Sequence, residues 1–516
     1  MIELLQRFNR PVVAILAVTA LAGGLRLYHV SQPAERVFDE HFYTKDGCLY
    51  AGYPPPQCAI HGDTEKYWVN TWGESSWEHP QLGKWAIALG IKAFGNTPFG
   101  WRISSVVFGT ATVTLVAVLA QLLLGSALWT FVAGLLLATE SLNFVQSRTS
   151  MLDIFLTFWI LLGFVFLVLD RRWIERRTPR SPPERVPVEE PVVVPAAERN
   201  ATAIDPEDSP APSYAAPPAA KPALEPALEQ TPEPALEPAP SPIFRPWRLA
   251  MGLAFGCAVA TKWSGVNAIF AAGILSIIWE RTRRRGRTPH PLWQAIQQEA
   301  FGLVVYLVLV PIGVYVVAYA RFFVMYGLDF PKLWGLQEAM ASFHFHLQAI
   351  DPTTHKPIHP YLSPAWKWIL IGRPVVYYFA SPGAEITGIG NPAIFWGSLF
   401  ALPFVALAWW RKRDWRAGFV VIGGLGQYLP WFLVSRPLFF FYVLPITPFF
   451  VLAVTYTVRE LATAHLAGSR ARPYLPVAVS YVLVCVVTFA FFYPVLTASP
   501  LSESAWHLRQ WFTSWI

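Results

Sequence analysis

The sequence predicts an all-α polytopic membrane protein, and three observations lead there. Hydrophobic residues make up 54% of the 516 positions and charged residues 14%, against about 25% charged in soluble domains. Apolar stretches follow one another along the chain, many near the ~20 residues a hydrocarbon core requires. Basic residues gather in short clusters between those stretches, as topology signals do. The 23 tryptophans fit the same class, because amphipathic rings concentrate where membrane meets water. The net charge of +7 does not point to nucleic acid, since no basic face interleaved with stacking aromatics stands out. The expected partner is the bilayer.

Eleven spans are expected, at 11–29, 100–122, 126–142, 152–170, 247–261, 264–280, 300–320, 393–410, 417–434, 438–457 and 475–496. The first follows Arg7 and Arg10 and lacks a convincing small-residue cleavage site, so it reads as a retained span rather than a signal peptide. The basic clusters are Arg171 to Arg177, Arg281 to Arg287, Arg411 to Arg416 and Arg459 to Arg472. All fall on the cytoplasmic side if the N-terminus is cytoplasmic. The C-terminus is then extracytoplasmic, and the chain is expected in the plasma membrane.

Three regions follow. Residues 1–172 form an N-terminal module of four helices, 246–516 a C-terminal module of seven, and 173–245 a linker between them. The linker is rich in Pro, Ala and Glu ("PALEPALEQTPEPALEPAP"), a composition that cannot bury a core and favours extended, disordered chain. Its Asn200-Ala-Thr202 sequon lies on the cytoplasmic side and reads as chance. Two large loops, 31–99 and 321–392, are too long for turns and are expected to carry function. In the first, Pro80 to Phe94 has apolar residues at helical spacing, as in an interfacial helix or a packing face. Cys257 and Cys485 sit in apolar runs as packing residues. Cys48 and Cys58 share the first loop with nine residues between them, and a disulfide and two free thiols both remain open.

The candidate chemistry collects at the extracytoplasmic helix ends. Asp39 and Glu40 in "RVFDEHFY" follow the first span closely; carboxylates beside a bilayer are costly without a partner or a task, although a solvated loop start is the alternative. On the same side lie Glu78, His79 and Lys84 ("WEHPQLGKW"), Arg102 ("GWRISS"), Arg148 and Asp153 ("SRTSMLD"), Lys262 and Trp263 ("TKWSG"), Arg373 ("IGRPVVYYF") and Arg436 ("SRPLFFFY"). Each basic residue alone may be read as an interfacial anchor. Together they imply a pocket able to hold a phosphate, with one carboxylate as base. His344, His346, His355 and His359 share the second loop. Two histidines two apart do not share a helix face, and no further ligand has suitable spacing, so no metal is expected.

The ordered set "VFDEHFY", "HPQLGKW", "GWRISS", "SRTSMLD", "TKWSG", "HPYLSP" and "GRPVVYY" resembles the protein O-mannosyltransferases of the GT-C superfamily, in their actinobacterial form, over nearly the whole chain outside the linker. The resemblance implies a GT-C fold of about eleven helices and inverting transfer of mannose from a polyprenyl- or dolichyl-phosphate carrier to Ser/Thr hydroxyls of exported polypeptides, with possible coupling to Sec export. It implies Asp39 as catalytic base with Glu40 its partner. Arg102, Lys262, Arg148, Arg373 and Lys84 would bind the donor phosphate, and Asp153, His79, Trp263 and Arg436 would support them. The lipid-linked sugar is a co-substrate, and no other cofactor is expected. Two departures stand out. Gln81 replaces the second Pro of the usual "HPPLGK", and the 321–392 loop is too short for the β-trefoil domain of eukaryotic relatives. The rivals are a GT-C enzyme acting on a glycolipid, such as an aminoarabinose transferase, and a lipid-linked-sugar flippase. The latter predicts repeated halves and ionisable groups at mid-membrane, a pattern not seen in the sequence.

Overall fold

The computed structural model describes residues 10–59, 72–177, 245–285, 288–381, 384–465 and 471–516. Residues 1–171 and 241–516 cluster as one compact unit and 172–240 as another. Most of the expected linker, with its sequon, lies outside the described residues. Its first five residues do not: 173–177 continue the Leu152–Arg177 helix.

All eleven stretches expected to span are helical, and eight of the helices described are long and apolar enough to cross a bilayer. The shorter three are Ala127–Ala138, Pro246–Thr261 and Trp415–Tyr428. At 1.5 Å per residue, the 12 residues of Ala127–Ala138 reach only ~18 Å. That helix stops because buried Glu140 caps a separate helix, Ser141–Gln146, accepting from the amides of Leu142 and Asn143. Near the other end of the chain, Leu429–Leu433 and Phe440–Ile446 are 3-10 segments, with Pro430 and Pro445 unable to donate to an α-helical ladder.

Helix starts follow local chemistry. Thr97, Asn391 and Asp414 each cap an amide of their own first turn, and Pro98 and Pro392 occupy the position where a missing N–H costs nothing. Close crossings need small residues: a Cβ on Gly252 would strike the carbonyl of Tyr306, where a π-turn at Val305–Leu309 interrupts the facing helix.

The most enclosed helical stretches are Leu152–Arg177 and Phe440–Thr463, whereas Arg10–Leu27, Pro291–Ala318 and Leu475–Leu496 are largely unburied, as lipid-facing helices would be. Edge-to-face rings tie the centre together, Phe164 against Phe255, Phe419 and Phe449 at 5.3–5.8 Å. The second loop departs from an all-helical expectation. Besides the helix Phe330–His346, it holds an antiparallel hairpin, β1 (Val375–Ser381) with β2 (Ala384–Gly388), in which Val375 pairs with Gly388 and Tyr378 with Ile386. The first loop holds the expected helix, Leu82–Phe94, and Cys48 and Cys58 are joined as a disulfide.

A buried ionic quartet locks three helices together, joining Asp170 of Leu152–Arg177, the start of Pro246–Thr261 and Glu299 within Pro291–Val304. Arg245 pairs with Asp170 (2.5 Å) and Glu299 (3.1 Å), and Arg248 pairs with Asp170 (3.1 Å) and with Glu299. Removing one partner leaves a buried charge uncompensated, which costs ~3–5 kcal/mol. Arg245→Ala is therefore expected to lower the thermal midpoint of the detergent-solubilised protein by several degrees. An unchanged midpoint would show that the quartet carries no net stabilisation.

Candidate active site

The segment after the first span is shaped by one pair of side chains. Arg102, in the first turns of the Pro98–Leu124 helix, has five N–H donors, and all are used. Nε and one Nη2 hydrogen bind Glu40 at 2.9 and 2.8 Å; the others reach the carbonyls of Val30, Pro33 and Glu35 at 2.7–3.1 Å. Glu40 is fully buried and also accepts from the amides of Val37 (2.9 Å) and Ser150 (2.8 Å). Arg102 therefore has no donor left for a phosphate, contrary to the role expected of it, and Glu40 holds the loop rather than facing a substrate.

Two more expected phosphate ligands are consumed likewise. Arg148 binds the carbonyls of Arg26, Tyr28 and His29 at 2.5–3.1 Å, closing the C-terminal end of the first helix, where carbonyls lack helical partners. Lys84 is buried between Glu74 (2.6 Å), Asp46 (3.2 Å) and the Ser76 carbonyl (2.6 Å). Gln81, the departure from the usual motif, donates to Glu74 in the same cluster. Arg373 lies elsewhere, binding the carbonyls of Pro360, Ser514 and Ile516. For all four, sequence shows a cation at the right end of a helix but not the acceptors that surround it.

Asp39 is different. It opens the Glu40–Tyr50 helix, and its nearest partner is the Tyr43 hydroxyl at 3.5 Å, so its carboxylate makes no ion pair among the described residues. The preceding residue, Phe38, has φ +47°, a left-handed conformation costly for a bulky side chain. Its ring is held by stacking on Tyr377 at 4.9 Å and by the edge of Phe441 at 5.7 Å. Burial raises the Asp39 carboxyl to about 6; Lys262 opposes the rise and Asp153 adds to it.

Lys262 and Asp153 form the second element. Lys262 ends the Pro246–Thr261 helix in extended conformation, and Gly265 lets the next turn fold back, since a Cβ there would meet the backbone of Ala258. The Lys262 ammonium sits 2.9 and 3.0 Å from the two oxygens of Asp153 and 4.6 Å from the centre of the Tyr442 ring. It lines a cavity of about 180 Å³ together with His79, Trp263, Asn267, His344 and Arg436. Asp39 is not itself in the lining; it is tied to the cavity by the electrostatic pull of Lys262 and through Tyr43, which reaches its carboxylate and whose ring is 6.0 Å from that of His79.

The cavity's other cation is Arg436. Its Nη1 donates to His344 Nδ1 at 3.1 Å. A guanidinium can only donate, so Nδ1 bears the lone pair and Nε2–H donates to the Glu78 carbonyl at 3.0 Å. His344 is thereby held neutral, its pKa lowered to about 4 by burial and then by Arg436. The remaining Arg436 donors have no acceptor among the described residues. The Glu78 carboxyl is raised to about 7 by burial, against the pull of Lys84. Burial, then Lys262, pushes His79 well below the usual histidine range. From sequence, Glu78 is named beside His79 in "WEHPQLGKW" without a role, and His344 is weighed only as a metal ligand. Among the described residues, no group of three or more His, Cys, Asp or Glu side chains is placed to hold a metal.

Fold and site together define a polytopic membrane glycosyltransferase of the GT-C class. The family model for dolichyl-phosphate-mannose-protein mannosyltransferase matches residues 16–182, and that for the C-terminal four-transmembrane region of protein-O-mannosyltransferase matches 329–515. The chain belongs to the protein O-mannosyltransferase family. It is 28% identical over 539 aligned residues to the polyprenol-phosphate-mannose–protein mannosyltransferase of Mycolicibacterium smegmatis, covering 96% of this chain and 92% of that one. To the enzyme of the same name from Mycobacterium tuberculosis it is 29% identical, covering 85% and 80%. In fold it is similar to the S. cerevisiae protein O-mannosyltransferase Pmt1-Pmt2 complex bound to the sugar donor, with TM-score 0.68 and 12% identity over 99% of this chain and 93% of that one.

A base must be ionised to act, so with Asp39 titrating at about 6 the specificity constant kcat/KM is expected to climb with pH through that value and level off above it. A profile flat from pH 5 to 7 would remove Asp39 as the titrating base. A second expectation separates structure from chemistry. Arg102→Ala leaves Glu40 buried and unpaired, and is expected to lower both the thermal midpoint and activity, whereas Asp39→Asn is expected to leave the midpoint in place. Equal midpoints for the two variants would contradict the division.

Proposed function

We propose that Asp39 is the base for inverting transfer of mannose from a polyprenyl-phosphate carrier to Ser/Thr hydroxyls of polypeptides. The observation that carries this reading is a carboxylate with no ion pair among the described residues, under the electrostatic influence of Lys262, which with Arg436 lines the cavity. The acceptor hydroxyl oxygen attacks the sugar C1 as the C1–O bond to phosphate breaks. The hydroxyl proton passes to Asp39, and the bonding pair leaves with the lipid phosphate. One positioned base contributes ~10²–10⁴-fold. The departing phosphate is a weak base that needs cations more than a proton donor. A single carboxylate acting on the acceptor, with no covalent sugar–enzyme intermediate, gives inversion from β to α.

Among the expected phosphate ligands, Lys262 is supported by its place in the cavity, and Arg436 joins it in that role by its unused donors. Asp153 positions Lys262. His79, Trp263 and neutral His344 supply a wall for the sugar, and exposed Phe345 at the rim offers an apolar path for the prenyl chain. The catalytic end is assigned to the extracytoplasmic face of the plasma membrane, with acceptors met in extended form as they are exported, for which Sec export is one route.

Labelled polyprenyl-phosphate mannose in membranes with a Ser/Thr-rich peptide tests the reading. Wild-type membranes are expected to label the peptide, and Asp39→Asn to reduce transfer by at least ~10²-fold while donor binding persists. Label appearing solely in glycolipid would favour a GT-C enzyme of another acceptor class, and wild-type turnover in Asp39→Asn would exclude the assigned base. Arg436→Ala is expected to weaken donor binding more than it changes the pH profile.

A further inference from the structure

A second cavity, of about 220 Å³, lies at the opposite end of the bundle and has no part in the chemistry above. The Val266–Arg284 helix begins next to Lys262 and ends at this cavity, 19 residues away, which places the two sites ~28 Å apart along its axis. Arg281, Arg285 and Arg413 line its mouth, and Trp279, Trp409 and Trp415 its walls. Deeper in, the lining is apolar, from Leu275, Ile278 and Ile422.

Three features separate this cavity from an ordinary basic helix end. The acids around it are engaged elsewhere: Glu280 by Arg283 and Arg284, Glu460 by Lys412 and Arg459, and Asp414 by the Tyr456 hydroxyl. Arg281, Arg285 and Arg413, by contrast, have no acid partner among the described residues. Arg413 holds the left-handed position after the Pro392–Lys412 helix, φ +53°, where glycine is the favoured residue. The tryptophan walls are ordered by Arg171, whose guanidinium lies 4.8 Å from the Trp279 ring and 4.4 Å from that of Trp415.

Unpaired guanidinium groups over an apolar, tryptophan-lined slot suit an amphiphile with an anionic head. Arginine binds phosphate oxygens through a planar fork, and the exposed Ile274, Leu407 and Trp410 on the two bordering helices offer apolar surface for its chains. We infer that this cavity is a binding site for the phosphate headgroup of an anionic phospholipid, separate from the donor site.

The test is titration of phosphatidylglycerol onto the full-length detergent-purified protein, followed by native mass spectrometry, with phosphatidylcholine as the zwitterionic comparator. The wild type is expected to bind phosphatidylglycerol preferentially at a saturable site. At about a fivefold contribution per arginine near a membrane surface, the triple variant Arg281→Ala, Arg285→Ala, Arg413→Ala is expected to bind it about 150-fold more weakly at most, and at least about tenfold. The control removes equal charge at the same end outside the cavity: Arg411→Ala, Lys412→Ala, Arg416→Ala is expected to lose less than threefold. Equal losses in both triples would reduce the effect to general surface charge and overturn the site. So would displacement of the lipid by millimolar inorganic phosphate, which would identify a free-phosphate site instead. Replacing the three arginines by lysine keeps charge but not the fork, and is expected to restore part of the affinity in a protein whose thermal midpoint matches wild type. No restoration in such a folded variant, with the alanine triple unfolded, would also count against the site.

Discussion

The buried pair of Glu40 and Arg102 is the constraint on which the site depends. Five donors of one guanidinium meet two carboxylate oxygens and three main-chain carbonyls, and the same carboxylate takes two amides, one from residue 37 and one from residue 150. The chain between the first helix and Asp39 has no regular structure of its own until residue 40. Its polar groups would go unsatisfied in an apolar setting without this arrangement, at about 1–3 kcal/mol each. The pair joins the first loop, the second long helix and the turn at 147–151, so the position of the residue before Glu40 is fixed from three directions. A charge pair is costly to bury, and it is retained here with every hydrogen-bonding group satisfied, the condition under which that cost is offset.

The structure divides its cations into two populations. Arg102 and Lys84 sit among acceptors that saturate them, Arg148 binds main-chain carbonyls through both terminal nitrogens, and all three hold the backbone around the site in place. Arg436, with most of its donors unused among the described residues, and Lys262, paired with Asp153, both line open volume. The distinction is chemical: a phosphate is recognised by cations that border a cavity with donors to spare, and a saturated guanidinium has nothing further to give. The same logic applies to the acids. Asp46, Glu40 and Glu74 are consumed by architecture, whereas Asp39 makes no ion pair among the described residues and accepts only from the Tyr43 hydroxyl.

Sequence made much of this legible, and it failed in a consistent way. The apolar runs gave the helices, because 20-residue periodic stretches carry their own signal. The interruption at Glu140 was invisible, since a carboxylate capping a buried helix start looks like any polar residue at the end of a span. The motif resemblance led to Asp39, Lys262 and Asp153, which the structure brings into one electrostatic group. It placed Arg102 among the phosphate ligands and Arg436 among the supporting residues, because both are lone arginines at helix ends and only the surrounding carbonyls tell them apart. His344 was weighed as a metal ligand and set aside; its meaning came from Arg436 in one direction and the Glu78 carbonyl in the other, a relation across 266 residues that no local pattern encodes. The hairpin β1–β2 was missed for a similar reason, as "VVYYF" lies within a loop judged by its length rather than by alternation.

The pairing of Lys262 with Asp153 bears on the strength of the base. An unpaired ammonium beside Asp39 would stabilise its ionised form and draw its pKa down, giving a carboxylate that is always ionised but a poor proton acceptor. Asp153 holds both oxygens on that ammonium, and its own charge pushes Asp39 the other way. With burial as the largest influence, the carboxyl settles at about 6. At neutral pH such a group is mostly ionised yet more basic than an ordinary aspartate, which is the compromise general-base catalysis favours. When an anionic headgroup enters the cavity it adds negative charge near Lys262 and should raise Asp39 further, so the base becomes stronger once the donor is in place. On the proposed reading the donor phosphate would do more than leave: its arrival would tune the group proposed to deprotonate the acceptor.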